Sequence, residues 1–107
     1  MNLRYKLCVA LALIGTIALS GCGKDNPTAL TESAKAYLAK NQYDAGIIQL
    51  KSALQIAPDN AEARFMYGKA LLDTGRPAAA ETEIRKAIDL KYSADETYPV
   101  LARASSG

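Results

Sequence analysis

The hydrophobic positions of this chain follow two patterns, and the change between them falls shortly after residue 20. Residues 7–19 form an unbroken apolar run behind the short basic segment 1–6. From residue 28 onward, Ala, Leu and Ile recur at intervals of three and four among Lys, Glu and Gln, which indicates amphipathic helices. The alternating Val, Ile and Thr of β-strands are missing from this part. We therefore expect a leader followed by an all-α body.

Residue types that begin and end helices divide the helical part into segments. They are Asn26 as an N-cap, Pro27 and Pro77 in first turns, Asn41 and Gly75 as left-handed ends, Pro58 after a helix, and Asp59 with Glu62 as a capping box. These positions predict helices over residues 28–41, 43–56, 60–74 and 77–91.

The helical part also repeats itself with a constant offset. When residues 27–60 are placed above residues 61–94, small residues align with small ones and large with large. The aligned pairs include Ala34 with Gly68, Tyr37 with Leu71, Leu50 with Ile84, Ala53 with Ala87 and Leu54 with Ile88. The offset matches the period of the tetratricopeptide repeat (TPR), about 34 residues, and the sequence resembles that family. The resemblance implies a solenoid of antiparallel helix pairs, with repeats over residues 28–60 and 61–94.

The sequence departs from the family pattern in three ways. Gly46 stands where the family prefers alanine, at an expected cost of about 1 kcal/mol in helix propensity. Tyr92 replaces the helix-ending proline of the second repeat, and Leu30 and Arg64 hold the family's first large position in place of an aromatic residue.

Residues 95–107 begin a third repeat, and residues 93–96 form a capping box at its start. Pro99 lies deep in this segment and is expected to delay or kink its helix. Two interpretations stay open: a helix that caps the second repeat, or the start of a longer array that is cut short. We favour truncation from a longer array, with the last helix still serving as a cap.

The end of the apolar run carries the second resemblance. Leu19-Ser20-Gly21-Cys22 resembles the bacterial lipoprotein signal, or lipobox. The resemblance implies a signal peptide over residues 1–21, cleavage before Cys22, covalent acyl chains such as palmitate on that cysteine, and a tether over residues 22–27. An uncleaved anchor helix and a plain secreted protein are the alternatives, although the apolar run at 7–19 falls short of the about 20 residues that span a bilayer. Gly23 in place of aspartate favours the outer membrane, facing the periplasm.

Charge and composition narrow the function. Two of the 13 basic residues, Arg4 and Lys6, lie in the leader, so the remainder carries 11 basic and 11 acidic residues. This neutral body gives no case for nucleic-acid binding. The chain has no histidine, and its only cysteines are Cys8 and Cys22. The paired carboxylates Glu81 and Glu83 do not face each other on a helix. We predict a non-enzymatic protein without a metal site, whose one prosthetic group is the lipid on Cys22.

The lipobox, the tether and the immediate repeats together are more specific than the repeats alone. The stretch SAKAYLAKNQYDAGIIQLKSALQIA at residues 33–57, followed by PDNAEARFMYGKALLDTG, is similar to the N-terminal part of the PEP-CTERM system TPR-repeat lipoprotein family. This resemblance implies a role in exopolysaccharide production and PEP-CTERM protein sorting, without catalytic residues. Lipid-anchored repeat proteins that assist the assembly of pili or outer-membrane proteins remain an alternative.

In a TPR solenoid the first helices of the repeats line a concave groove. The candidate groove contacts are Thr31, Lys35, Leu38, Phe65, Lys69, Leu72 and Arg103. Among them, Lys35, Lys69 and Arg103 occupy the same position of successive repeats, which predicts a row of cations for an acidic peptide or an anionic polysaccharide. A merely solvated helix face is the alternative. Two functions follow: an anchored adaptor for a periplasmic protein partner, or an inert fragment that self-associates through residues 92–107.

Overall fold

The computed structural model describes residues 26–106, which form five α-helices and no strand. The helices are α1 (Pro27–Ala39), α2 (Tyr43–Ile56), α3 (Ala61–Asp73), α4 (Pro77–Asp89) and α5 (Ala94–Ser106). α1 packs mainly on α2 and α3 on α4, while contacts of α2 with α3 and of α4 with α5 join the successive pairs. This arrangement confirms the predicted all-α solenoid of helix pairs. The predicted leader, its cleavage site and Cys22 lie outside the described residues.

Helix ends follow the predicted chemistry at most positions. The side chain of Asn26 accepts a hydrogen bond from the Thr28 N–H at 2.9 Å, and Pro27 is the first residue of α1. Asn41 (φ 59°) and Gly75 (φ 80°) are left-handed, as predicted for the turns within each pair. Each of these turns reverses the chain within three residues, so the paired helices lie side by side.

The predicted capping box of α3 is wrong. Asn60 is the N-cap, and its side-chain oxygen accepts from the N–H of Ala63 at 3.1 Å. Asparagine is among the best N-capping residues, and here it lies one position after Asp59. The end of α4 also differs from the prediction, because the helix stops at Asp89 and Lys91 becomes left-handed (φ 67°).

Pro99 does not delay the last helix. α5 begins at Ala94, directly after the predicted capping residue, and continues through Pro99 to Ser106. A proline inside a helix removes one hydrogen bond, but Pro99 lies on the exposed side of α5. On the opposite side Val100 and Ala104 are buried against the second repeat, and this packing holds the helix in place.

Small residues lie where the helices approach most closely. Ala34, Ala53, Ala80 and Ala87 are completely buried, as the repeat pattern predicts. Large side chains fill the space between these contacts, with Leu50 and Ile84 completely buried at equivalent positions of the two repeats. The first core cluster extends from the first pair to Ala63 of α3, and the second extends from the second pair to Val100 of α5. Each helix pair is therefore covered by the first helix of the next unit.

Two glycines permit closer contacts than alanine would allow. A Cβ at Gly68 would lie 2.6 Å from Ile84 Cδ1 and 3.2 Å from the carbonyl oxygen of Ala80. A Cβ at Gly46 would lie 2.8 Å from Cδ2 of Leu38, whose side chain is only partly buried. Gly46 is thus the smaller partner in a tight contact within the first pair.

Arg64 holds the family's first large position with an ion pair instead of an aromatic ring. Its Nη1 donates to Glu83 Oε2 at 2.7 Å, and its Nε donates to the carbonyl oxygen of Pro58 at 3.0 Å. Both charged side chains are largely buried, and Lys86 also approaches Glu83 at 3.2 Å. Arg64 therefore joins the turn before α3 to the middle of α4.

Gly68→Ala should lower the free energy of unfolding by about 1–3 kcal/mol, because the added Cβ would lie 2.6 Å from the completely buried Ile84 and 3.2 Å from the backbone carbonyl oxygen of Ala80. Gly46→Ala should change it by less than about 1 kcal/mol, since Leu38 can turn aside and alanine gains helix propensity. Urea denaturation followed by circular dichroism measures both. Equal losses for the two variants would contradict this account of the two contacts.

Arg64→Ala should cost about 2 kcal/mol, because it leaves the carboxylate of Glu83 largely buried with a weaker partner. Arg85→Ala is the matched control: it breaks the exposed pair with Glu81 and should cost less than about 0.5 kcal/mol. The same denaturation experiment compares them, and a loss for Arg64→Ala no larger than the control's would refute the structural role of this ion pair.

Candidate binding groove

The first helices of the successive units, α1, α3 and α5, line a groove of about 550 Å³. Apolar side chains in it include Leu38, Phe65 and Met66, together with Tyr92 from the segment before α5. The rings of Phe65 and Tyr92 stack with their centroids 5.0 Å apart and an angle of 22° between their planes. Phe65 is only 8% exposed and belongs to the second core cluster, so the stack buries its ring and leaves the half-buried Tyr92 as the aromatic surface that a ligand could contact.

Four of the seven predicted groove residues line this groove: Lys35, Leu38, Phe65 and Lys69. The other three do not. Thr31 is buried, and its hydroxyl donates to the carbonyl oxygen of Pro27 at 2.7 Å. Leu72 packs against the core clusters of the second repeat, and Arg103 is exposed at the C-terminal end, 3.6 Å from Asp73. Thr31 and Leu72 differ from the prediction because their positions point between helices.

The predicted row of cations is accompanied by carboxylates. The Nζ of Lys35 lies 3.0 Å from Glu32 and 3.3 Å from Glu62, and hydrogen bonds to these two groups raise the pKa of Lys35 above its ordinary value. At the other end of the row, Arg103 faces Asp73. The groove therefore presents both signs of charge, and the binding of an anion by the whole row stays a prediction.

Glu62 and Glu96 likewise occupy equivalent positions of successive repeats, and they form a second row beside the lysines. In the first interval of the groove, between α1 and α3, the two rows are joined by the ion pair of Lys35 with Glu62. In the second interval, between α3 and α5, the equivalent residues are Lys69 and Glu96, and both line the groove. Within the described residues they form no ion pair with each other. This second interval thus offers a cation and an anion to a ligand.

Tyr92 belongs both to the second interval, where Glu96 lies near its hydroxyl, and to the apolar part of the groove, where its ring stacks on Phe65. Burial raises the pKa of the Tyr92 hydroxyl above its ordinary value, and the nearby carboxylate of Glu96 raises the pKa further. The hydroxyl stays protonated at neutral pH, and the carboxylate of Glu96 beside it is a hydrogen-bond acceptor for it. The sequence marked Tyr92 only as a departure from the family proline. The turn at Lys91, which no sequence signal predicted, precedes the place where Tyr92 meets Phe65.

A second depression, of about 710 Å³, lies between α1 and α2 on the side away from the second repeat. Leu30, Gln49 and Ser52 line it, and their equivalents in the next repeat are Arg64, Glu83 and Lys86. In the second repeat those three residues form the ion-pair cluster next to the first repeat. Within residues 26–106 the depression therefore lies on the N-terminal face of the first repeat and is not part of the groove.

Among residues 26–106 no cluster of His, Cys, Asp and Glu side chains is arranged to hold a metal ion. In the same part of the chain, no helix has the length and apolar character needed to cross a membrane.

Comparison with known proteins agrees with the geometry. The profile of the tetratricopeptide repeat matches residues 38–98, which is more than half of the chain. The match begins in α1 and extends into α5, so it includes most of the groove. No curated protein sequence matches the chain. Both the helix-pair architecture and the profile lead to one assignment: this chain belongs to the tetratricopeptide repeat family.

Proposed function

We propose that this protein is a non-enzymatic, lipid-anchored adaptor that holds a segment of a protein partner in the groove of α1, α3 and α5. Tetratricopeptide repeats generally mediate protein–protein interactions, and their concave surfaces serve as binding sites. The observation that carries the proposal is the second interval of the groove. There the stacked rings of Phe65 and Tyr92 adjoin Lys69 and Glu96, which are not paired with each other.

This arrangement favours a peptide over a polyanion. A peptide can place an apolar side chain on the half-buried ring of Tyr92, which packs on the buried Phe65, an acidic group near Lys69 and a basic group near Glu96. An anionic polysaccharide would meet Lys69 but would also approach the carboxylates of Glu62, Glu96 and Asp73, which line the same groove. The affinity for a polysaccharide would fall steeply as the salt concentration rises. The affinity for a peptide would fall less, because salt does not screen the apolar contact with Tyr92.

The anchor and the location rest on the sequence. The lipobox supports acylation of Cys22, and the short segment from Cys22 to Pro27 spans at most about 18 Å. Such a short tether would keep the groove close to the membrane surface. We place the protein in the periplasm, on the outer membrane. Several acyl chains on one residue make a stable anchor, because each buried methylene contributes about 0.8 kcal/mol.

The cellular process in which the adaptor acts is proposed from sequence resemblance alone. The resemblance to the PEP-CTERM system TPR-repeat lipoprotein family supports a link to exopolysaccharide production and PEP-CTERM protein sorting. An assembly factor for pili or outer-membrane proteins would use the same groove and the same anchor. The identity of the captured partner separates these two roles.

A photoreactive amino acid at position 69, in the full chain expressed in cells, should capture a discrete protein adduct. The same amino acid at position 51, which is exposed on α2 away from the groove, should not capture it. With the identified partner, Lys69→Glu should weaken binding about tenfold, and Lys51→Glu should leave it unchanged. Identical adducts from the two positions, or equal affinities of the two charge variants, would exclude the groove as the binding site.

Intact-mass measurement of the protein extracted from membranes tests the anchor. The chain should have lost residues 1–21 and gained the mass of its acyl chains. Cys8→Ser should leave both changes intact, because Cys8 lies in the predicted leader, whereas Cys22→Ser should abolish acylation. An unmodified Cys22 thiol in the extracted protein would rule out the lipid anchor and leave the adaptor proposal without its attachment to the membrane.

A further inference from the structure

The side of α5 that faces away from the second repeat is exposed, although the equivalent positions of α1 and α3 are covered. Ala102 occupies the repeat position that Gly68 holds in α3 and Ala34 holds in α1. Both of those residues are buried where the first helix of a repeat meets its second helix. Ala102 is exposed, because none of the described residues forms a helix that covers α5 on this side.

This face of α5 has a definite pattern. Thr97, Val100 and Ala104 point into the protein and are buried. The other side of the helix carries a strip of exposed residues at intervals of three and four: Asp95, Tyr98, Pro99, Ala102 and Ser106. Tyr98 is 56% exposed and is one of the few large apolar side chains in the described residues that is left in solvent. The middle of the strip is therefore apolar, and its ends are polar.

We propose that this strip pairs, antiparallel, with the same strip of a second copy of the chain. The pattern is self-complementary. If a two-fold axis crosses the strip at the level of residue 100, midway between Tyr98 and Ala102, then Tyr98 of each copy lies over Ala102 of the other copy. A large side chain then faces a small residue, as Ile84 faces Gly68 inside the second repeat. In an interface that relates two copies by a two-fold axis, both halves of this match come from one helix.

The charges on α5 support the same register. Asp95 lies in the first turn of the helix and Arg103 in the last turn. In an antiparallel pair, Asp95 of one copy comes within reach of Arg103 of the other, on both sides of the axis. The side chain of Arg103 is 60% exposed, and the distance of 3.6 Å from its guanidinium to Asp73 is the longest among the ion pairs of residues 26–106. It is therefore free to turn toward a second copy.

The expected association is weak and reversible. α5 has 13 residues, which corresponds to a length of about 20 Å. Contact along one such helix buries less than the about 1,200 Å² typical of stable complexes. The interaction would be strongest where copies are concentrated. It is independent of the proposed groove function, because Tyr98, Pro99 and Ala102 do not line the groove.

Sedimentation equilibrium of the full chain in detergent, with Cys8 and Cys22 replaced by serine, tests the pairing. The chain should form dimers that dissociate on dilution. Ala102→Glu should lower the association constant about tenfold or more by placing two carboxylates at the axis. Ala36→Glu is the matched control, because Ala36 is an exposed alanine in the last turns of α1, and it should leave the constant unchanged within about twofold. A monomer at all concentrations, or equal effects of the two variants, would overturn the proposal.

A disulfide provides the second test in the same background. Pro99 lies on the strip next to the proposed axis, so Pro99→Cys should form a covalent dimer on mild oxidation. Ala36→Cys, on the exposed side of α1, should not form one at the same protein concentration. Cross-linking at equal rates from both positions would mean that the contact is random and not made by α5. Loss of the Pro99→Cys dimer on adding Ala102→Glu would confirm that both residues belong to one interface.

Discussion

The spacing of the helices depends on residues that have almost no side chain. Ala34, Ala53, Gly68, Ala80 and Ala87 lie at the crossings and leave room for one helix to settle against the next. Large residues such as Leu50 and Ile84 then fill the space beside the crossings. Because each crossing depends on a contact at van der Waals distance, an added methyl group is accommodated only where its neighbour can move. Leu38 beside Gly46 is only partly buried, whereas Ile84 beside Gly68 is completely buried, so we expect the methyl group to be tolerated at the first position and not at the second.

The same geometry explains why the two repeats differ on their N-terminal sides. The second repeat meets the first across Arg64, Glu83 and the carbonyl of Pro58, so its polar groups are joined by hydrogen bonds. The equivalent positions in the first repeat carry Leu30 and Gln49, which line an open depression. Identical helix positions thus take different residues according to what is packed against them, and the repeat period alone does not specify that difference.

The sequence was informative where a local rule determines the structure. Asn41 and Gly75 end helices because they adopt left-handed conformations, and the small residues at the crossings recur with the repeat. It was misleading where two local signals compete or where packing outweighs a propensity. Asn60 caps α3 although Asp59 fits a capping box, and α5 includes Pro99 because its opposite side is buried. Such outcomes depend on the partners of a segment, which its own residues do not reveal.

The groove shows the same limit at the level of charge. A row of cations is easy to find in a repeating sequence, because Lys35, Lys69 and Arg103 share one helix position. The carboxylates beside them come from other positions, and only the packing of α1 against α3 reveals that Glu62 reaches Lys35. Periodicity would make Lys69 and Glu96 a second pair, yet they remain apart within the described residues. This departure from the repeat is the reason that we propose this part of the groove, and not the paired Lys35 and Glu62, as the place where a partner binds.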